Sequence, residues 1–153
     1  MRDEDERIYR KHAEELTRFA TFLVGPSDAP DVVSDAVLRA FTSRAWPSVV
    51  EHRPYLFRAV SNEARMHHRS SARRREREHR GAALDRHDPE SDSGDALALV
   101  ARLSPRQRSV VYLAYWDDLD VTSTAELLGI SEGSVRRHLA RGRASLRRMF
   151  DDD

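Results

Sequence analysis

A chain of 153 residues that is 39% hydrophobic and 34% charged is too polar for one large core and suits two small helical bodies better. It has no cysteine, which removes disulfides and thiolate metal sites, and its 26 basic residues equal its 26 acidic ones. The balance is uneven: acids crowd residues 3–6 and 85–95 and close the chain at Asp151, Asp152 and Asp153, while arginines crowd 65–80 and 136–148. A neutral total therefore conceals two basic patches that each suit phosphate. Lys11 is the single lysine, so cationic charge is presented almost wholly on arginine, whose planar fork matches phosphate and guanine edges. No apolar run approaches the roughly 20 residues of a membrane span, and the N-terminus lacks the apolar core of a signal peptide. The expectation is a soluble, cytoplasmic chain with no membrane partner.

In chain order, Ile8, Leu16, Phe19, Ala20 and Leu23 fall at helical spacing over residues 4–24, and Gly25-Pro26 stops that helix. Ser27 or Asp28 is placed to cap a second helix, running to about Arg44. Val33, Ala36, Val37, Ala40 and Phe41 occupy one face of it, and Asp31, Ser34, Asp35 and Arg39 the other. Trp46-Pro47 breaks the pattern. Pro54 suits the first turn of a third helix reaching toward Arg80, with Leu56, Ala59, Val60 and Ala64 facing inward. Residues 81–95 are rich in Asp, Ser, Gly and Pro and read as a flexible acidic linker. A short apolar helix is expected at 96–103. Ser104-Pro105 then caps another, which brings Val110, Val111, Leu113, Ala114 and Trp116 into a compact core.

The stretch from Leu119 to Phe150 reads as a short helix, a tight turn and a long basic helix. Ala125 permits close approach, Gly129 suits a left-handed turn, and Val135 fills the gap between the helices. Ser131 is placed as the N-cap of the second helix, with Glu132 in its first turn. Between Ser131 and Arg148 six arginines face that single acid. This is the pattern of a helix-turn-helix whose second helix enters the major groove. An ordinary helical bundle accounts for the amphipathic faces, but not for register, cap and arginines together.

Two longer stretches carry a resemblance. LSPRQRSVVYLAYWDDLDVTSTAELLGISEGSVRRHLARGRASLRR resembles region four of bacterial sigma factors, and DAPDVVSDAVLRAFTS followed by RPYLFRAVSNEARMHHRSSARRR resembles region two. Their order, with a short linker and no third domain between them, is similar to the extracytoplasmic-function subgroup of the sigma-70 family. The resemblance implies an all-α chain of two small helical domains, 1–80 and 96–153, joined by the linker at 81–95. It implies a promoter-specificity subunit that binds core RNA polymerase and promoter DNA, both as duplex and as melted single strand, with a possible anti-sigma factor as regulator.

For individual residues the resemblance implies that the helix over 31–42 docks on polymerase through Asp31, Asp35 and Arg39. Ala29 and Pro30 stand where the family commonly has acids, which weakens that charge. The loop over 44–53 matches the promoter-melting loop, and the following helix matches the minus-ten reader. Trp46 and His52 would then supply stacking surface, Asn62, Arg65 and Arg69 donors to bases, and Arg73 a phosphate contact. Ser134, Arg136, Arg137 and Arg141 are placed to reach minus-thirty-five base edges, with Arg143 and Arg147 on phosphate. Thr124 stands where the family usually has a larger aliphatic residue, which implies a looser first helix.

No nucleophile elbow, Gly-rich phosphate loop or paired-carboxylate pattern occurs, and His67, His68, His79 and His87 lack spaced carboxylate partners. The expectation is no catalysis, no metal and no cofactor. Two other functions fit parts of the pattern: a stand-alone helix-turn-helix regulator acting on palindromic sites, and a sigma-like adaptor without initiation activity.

Overall fold

The computed structural model describes residues 2–81 and 102–151, and among them every regular element is a helix. Helix α1 (Asp3–Val24) places Asp3, Glu4, Asp5 and Glu6 in its first turn, where negative charge meets the positive end of the helix dipole. It ends at Gly25, whose φ of +89° a residue with a β-carbon rarely adopts. Helix α2 (Ala29–Thr42) follows, then a 3-10 turn at Trp46–Ser48 and the long helix α3 (His52–Gly81), with Pro54 in its first turn. Neither Ser27 nor Asp28 caps α2 with its side chain; the Asp28 carboxylate instead meets His67 of α3 at 3.1 Å. Most of the linker expected at 81–95, and most of the helix expected at 96–103, lie outside the described residues.

Helix α4 (Pro105–Tyr115) begins with a complete capping box. Ser104 Oγ accepts from the Gln107 N–H, and the Gln107 side chain accepts from the Ser104 N–H. Helix α5 (Val121–Leu128) is capped by Asp120, and α6 (Glu132–Asp151) follows it. Between α4 and α5, Asp118 takes φ +51°, a left-handed conformation that Asp tolerates better than most residues. Gly142 of α6 lies against α4 so closely that a β-carbon there would stand 2.9 Å from Val111 Cγ2.

Helices α1 to α3 bury Leu16, Phe19, Leu23, Val33, Ala36, Leu56, Val60 and Ala64, as their spacing predicts, and also Val32 and Phe57, which it does not single out, while Ala59 is half-buried. Each large apolar side chain so buried contributes about 1.5–3 kcal/mol. The core does not stop at the N-terminal unit. The Phe19 ring of α1 lies 4.9 Å from Phe57 of α3 and 5.1 Å from Tyr112 of α4, and Phe22 lies 5.3 Å from Tyr112. One continuous apolar cluster therefore joins α1–α3 to α4–α6.

Polar contacts close the same seam. Ser61 and Ser109 are fully buried and share a hydrogen bond at 3.0 Å. Arg108 donates to the Leu23 carbonyl at the C-terminal end of α1, where a cation is favoured. Arg53, with its guanidinium 4.6 Å from the Phe57 ring centre, joins Glu15 of α1 to Asp117, which it meets at 3.3 Å. Arg58 donates to the Glu126 carbonyl of α5 at 3.0 Å. Trp116 corrects an expectation. It is 70% exposed, because α4 ends one residue earlier and its ring lies outside, stacked on Tyr112 and beside Phe22. Tyr112 takes the core position instead.

Thr124, where the resemblance implies a larger aliphatic residue, is 1% exposed, and its Oγ1 is buried without a hydrogen-bond partner. An unmet buried hydroxyl costs about 1–3 kcal/mol. Thr124→Val keeps the β-branched shape and should raise the unfolding free energy by about 1 kcal/mol in urea denaturation. A loss of stability would show that the hydroxyl is satisfied.

Candidate nucleic-acid interface

Local chemistry sets the angle between α5 and α6. Asp120 Oδ1 accepts from the Ser123 N–H at 2.7 Å, and this bond holds its carboxyl below the usual range. At the far end of α5, Gly129 takes φ +69°, and the N–H groups of Gly129 and Ile130 both reach back to the Ala125 carbonyl. A β-carbon on Gly129 would stand 2.8 Å from Nε of the flexible Arg58 side chain, so it is chiefly the left-handed conformation that calls for glycine here. Ser131 Oγ accepts from the Ser134 N–H at 3.1 Å, starting α6 as its sequence predicts. Thr122 donates to Glu132 at 2.7 Å across the turn, and Val135 is buried between the helices.

With Val135 and Gly142 inward, the arginines of α6 divide between two flanks. Ser134, Arg137 and Arg141 share one, and Arg137 donates to Ser134 Oγ at 3.0 Å. Arg136, Arg143 and Arg147 share the other. There Arg136 lies 3.6 Å from Glu132, and Arg143 donates to the Tyr115 hydroxyl. Arg136, Arg137, Arg141, Arg143 and Arg147 are all exposed. The structure thus separates Arg136 from the other three residues expected at base edges.

On α3, Asn62, Arg65, Arg69 and Arg73 fall at i, i+3, i+7 and i+11, a single stripe along the helix. Asn62, Arg69 and Arg73 are exposed and Arg65 is half-buried. Trp46 is not part of that stripe. It is 7% exposed, its Nε1 donates to Asp5 of α1 at 2.9 Å, and its ring packs among Phe41, His52 and Tyr55. His52 is half-buried against it.

Sequence reasoning passed over Tyr55. Together with Ser43, Arg58, Asn62 and Met66 it lines a groove of about 370 Å³ between α2 and α3, and its hydroxyl meets Ser43 Oγ at 3.2 Å. On α2, Asp31, Asp35 and Arg39 are exposed at i, i+4 and i+8, but Arg39 is turned toward α3, 3.4 Å from Glu63. Leu38 stands 63% exposed on the same outer face. An apolar residue at i+7 from Asp31 was the available signal.

Two histidines are held below the ordinary imidazole value. Burial is the main cause for His12, offset by Glu15; for His138 burial is joined by Arg106, Arg141, Arg137 and Arg65. A base whose folded pKa is depressed binds fewer protons folded than unfolded, so stability falls as pH drops through about 6.5 and below. The melting temperature in a buffer without phosphate should therefore rise from pH 5 to pH 7. His138→Gln should flatten that rise, and an unchanged slope would contradict the assignment.

Comparison with known proteins matches both helical units. The family model for sigma-70 region 2 covers residues 8–74, and that for sigma-70 region 4 covers residues 93–146. The RNA polymerase sigma-E factor of Streptomyces avermitilis is 30% identical over 97% of this chain and 86% of its own length. Its Streptomyces antibioticus counterpart is 33% identical over 97% and 85%. The ECF RNA polymerase sigma factor SigM of Mycobacterium tuberculosis is 30% identical over 95% and 76%. The fold resembles that of the sigma factor RpoE from Bartonella quintana, solved with the anti-sigma factor NepR (TM-score 0.68, 21% identity, 99% of each chain). It also resembles CnrH, solved with the cytosolic domain of CnrY (TM-score 0.63, 24% identity, 97% and 88%). The chain belongs to the extracytoplasmic-function subgroup of the sigma-70 family, a family of non-enzymatic transcription initiation factors, and is an RNA polymerase sigma factor.

Proposed function

We propose that the chain confers promoter specificity on core RNA polymerase as a cytoplasmic protein with two DNA readers and no covalent chemistry of its own. The observation that carries this reading is the pairing of two arginine-bearing helix faces, on α3 and α6, with the two matched family regions. Residues 1–80 and 96–153 act as separate domains joined by 81–95. Ser134, Arg137 and Arg141 read minus-thirty-five base edges, and Arg136, Arg143 and Arg147 follow the adjacent backbone. Asn62, Arg65 and Arg69 meet the minus-ten strand, Arg73 its phosphates, and a flipped base enters the groove beside Asn62 with Tyr55 as its aromatic wall. Trp46 holds the melting loop against α1 through Asp5 rather than stacking on a base. The outer face of α2 docks on polymerase through Asp31 and Asp35, with Leu38 as an apolar anchor and Arg39 shared with Glu63.

The closed arrangement cannot read a promoter as it stands. The two elements are separated by roughly 25 base pairs, or ~85 Å of duplex. A compact chain of 153 residues has a radius of gyration of only about 15 Å. Polymerase must therefore draw the units apart. Similar folds have been solved in complex with NepR and with the cytosolic domain of CnrY; an anti-sigma factor that gripped both units of this chain would hold them together.

Run-off transcription with purified core polymerase tests the division of labour. Arg137→Ala with Arg141→Ala should reduce specific transcripts at least tenfold while leaving polymerase binding intact, a bidentate guanine contact being worth about 1–3 kcal/mol. Leu38→Glu should instead weaken polymerase binding itself. If both variants lost the same activity, or if the native chain formed no holoenzyme, the reading would fail.

A further inference from the structure

The close approach of α4 and α6 produces a contact that reading by α6 alone does not use. A β-carbon on Gly142 would stand 2.9 Å from Val111 Cγ2, so the α6 backbone lies directly on α4 at that point. Tyr115 follows Val111 by one turn of α4, and Arg143 follows Gly142 on α6. Their side chains meet there. Arg143 Nε donates to the Tyr115 hydroxyl at 2.5 Å, and the guanidinium carbon lies 5.7 Å from the centre of the Tyr115 ring. Both residues stay open to solvent, Tyr115 at 51% exposure. An exposed polar pair of this kind contributes little to stability, so burial is not what it achieves.

What it achieves is direction. A guanidinium has five N–H donors, and the Nε bond to Tyr115 takes one, which fixes the plane of the fork and leaves the four on Nη1 and Nη2 outside that bond. A hydroxyl carries no charge, so it orients Arg143 without neutralising it. Glu132 treats Arg136 differently on the same flank, standing 3.6 Å away as a carboxylate. Having accepted from Nε, the Tyr115 hydroxyl still has its own O–H to donate.

We propose that Tyr115 and Arg143 form one clamp for a backbone phosphate of duplex DNA. Arg143 supplies the charge-assisted N–H donors, and Tyr115 holds the fork and adds an O–H donor beside it. The clamp extends the flank of α6 that carries Arg136 and Arg147 onto the end of α4, outside the helix-turn-helix. The inference rests on the reading in which Arg143 follows the DNA backbone and adds Tyr115 to it as a positioning residue.

The experiment titrates holoenzyme, reconstituted with the full chain, against a fluorescent duplex of a promoter that it transcribes, over a series of sodium chloride concentrations. Arg143→Ala should weaken binding and reduce the steepness of log affinity against log salt by about 0.9, the loss of one phosphate contact. Tyr115→Phe keeps the ring and should weaken binding about fivefold, yet cost less than about twofold once Arg143 is alanine, because the two act as a unit. Tyr115→Glu should hold Arg143 as an ion pair and leave the melting temperature of the chain within about 2 °C of native, while weakening binding about tenfold or more by neutralising the cation and repelling phosphate. A purely structural contact predicts the opposite ranking, with glutamate tolerated better than phenylalanine. If Arg143→Ala weakens binding and Tyr115→Phe does not, or if the two substitutions are additive, the clamp is overturned and the backbone role of Arg143 stands. If Arg143→Ala leaves affinity and salt dependence unchanged, both fall.

Discussion

The contact on which the rest of the molecule depends is the Phe19 ring, set between Phe57 of α3 and Tyr112 of α4. Without it the chain would be two small helical bodies, each with a modest core. With it, α1 gives its inner face to both units at once. The Ser61–Ser109 hydrogen bond, the Arg53 bridge and the Arg108 contact all lie along the seam that this aromatic junction closes. Aromatic pairs of this kind add about 0.5–1.5 kcal/mol beyond the area they bury. This adds to the apolar area and the polar contacts along the same seam, all of which favour closure.

On the proposed reading, in which polymerase draws the two units apart, this seam opens when the protein acts. Arg58 reaches from α3 to the Glu126 carbonyl and crowds Gly129, so the turn that sets the recognition helix is itself part of the seam. Opening frees α5 from the start of α3, beside the groove lined by Tyr55 and Asn62. Closure and DNA reading thus draw on neighbouring atoms. On the proposed reading, a ligand that strengthens the seam would oppose polymerase, and one that weakens it would assist.

Much of this was legible in the sequence because it rests on local rules. Gly129, Ser131 and Val135 lie where turn, cap and plug chemistry require, and the buried faces of α1, α2 and α3 follow their apolar spacing. What was not legible comes from contacts distant in sequence. Trp46 read as loop surface, but Asp5, 41 residues earlier, offers its indole a buried acceptor. Trp116 read as core, but the end of α4 leaves it outside and hands the interior to Tyr112. Arg39 read as a docking charge, and nothing in the pattern of α2 signalled that Glu63 on a neighbouring helix stands 3.4 Å from its exposed guanidinium. Pattern within a helix reveals which face is buried, not which partner waits across the gap.

The most direct test is the distance between the units. The chain has no cysteine, so Glu14→Cys on α1 and Ala144→Cys on α6, both exposed, allow two spin labels and no others. In the free protein the account predicts one narrow, short distance distribution, which lengthens by roughly 20 Å or more when core polymerase is added, as two elements ~85 Å apart require. A broad, long distribution in the free chain, or a short one unchanged on polymerase, would contradict it.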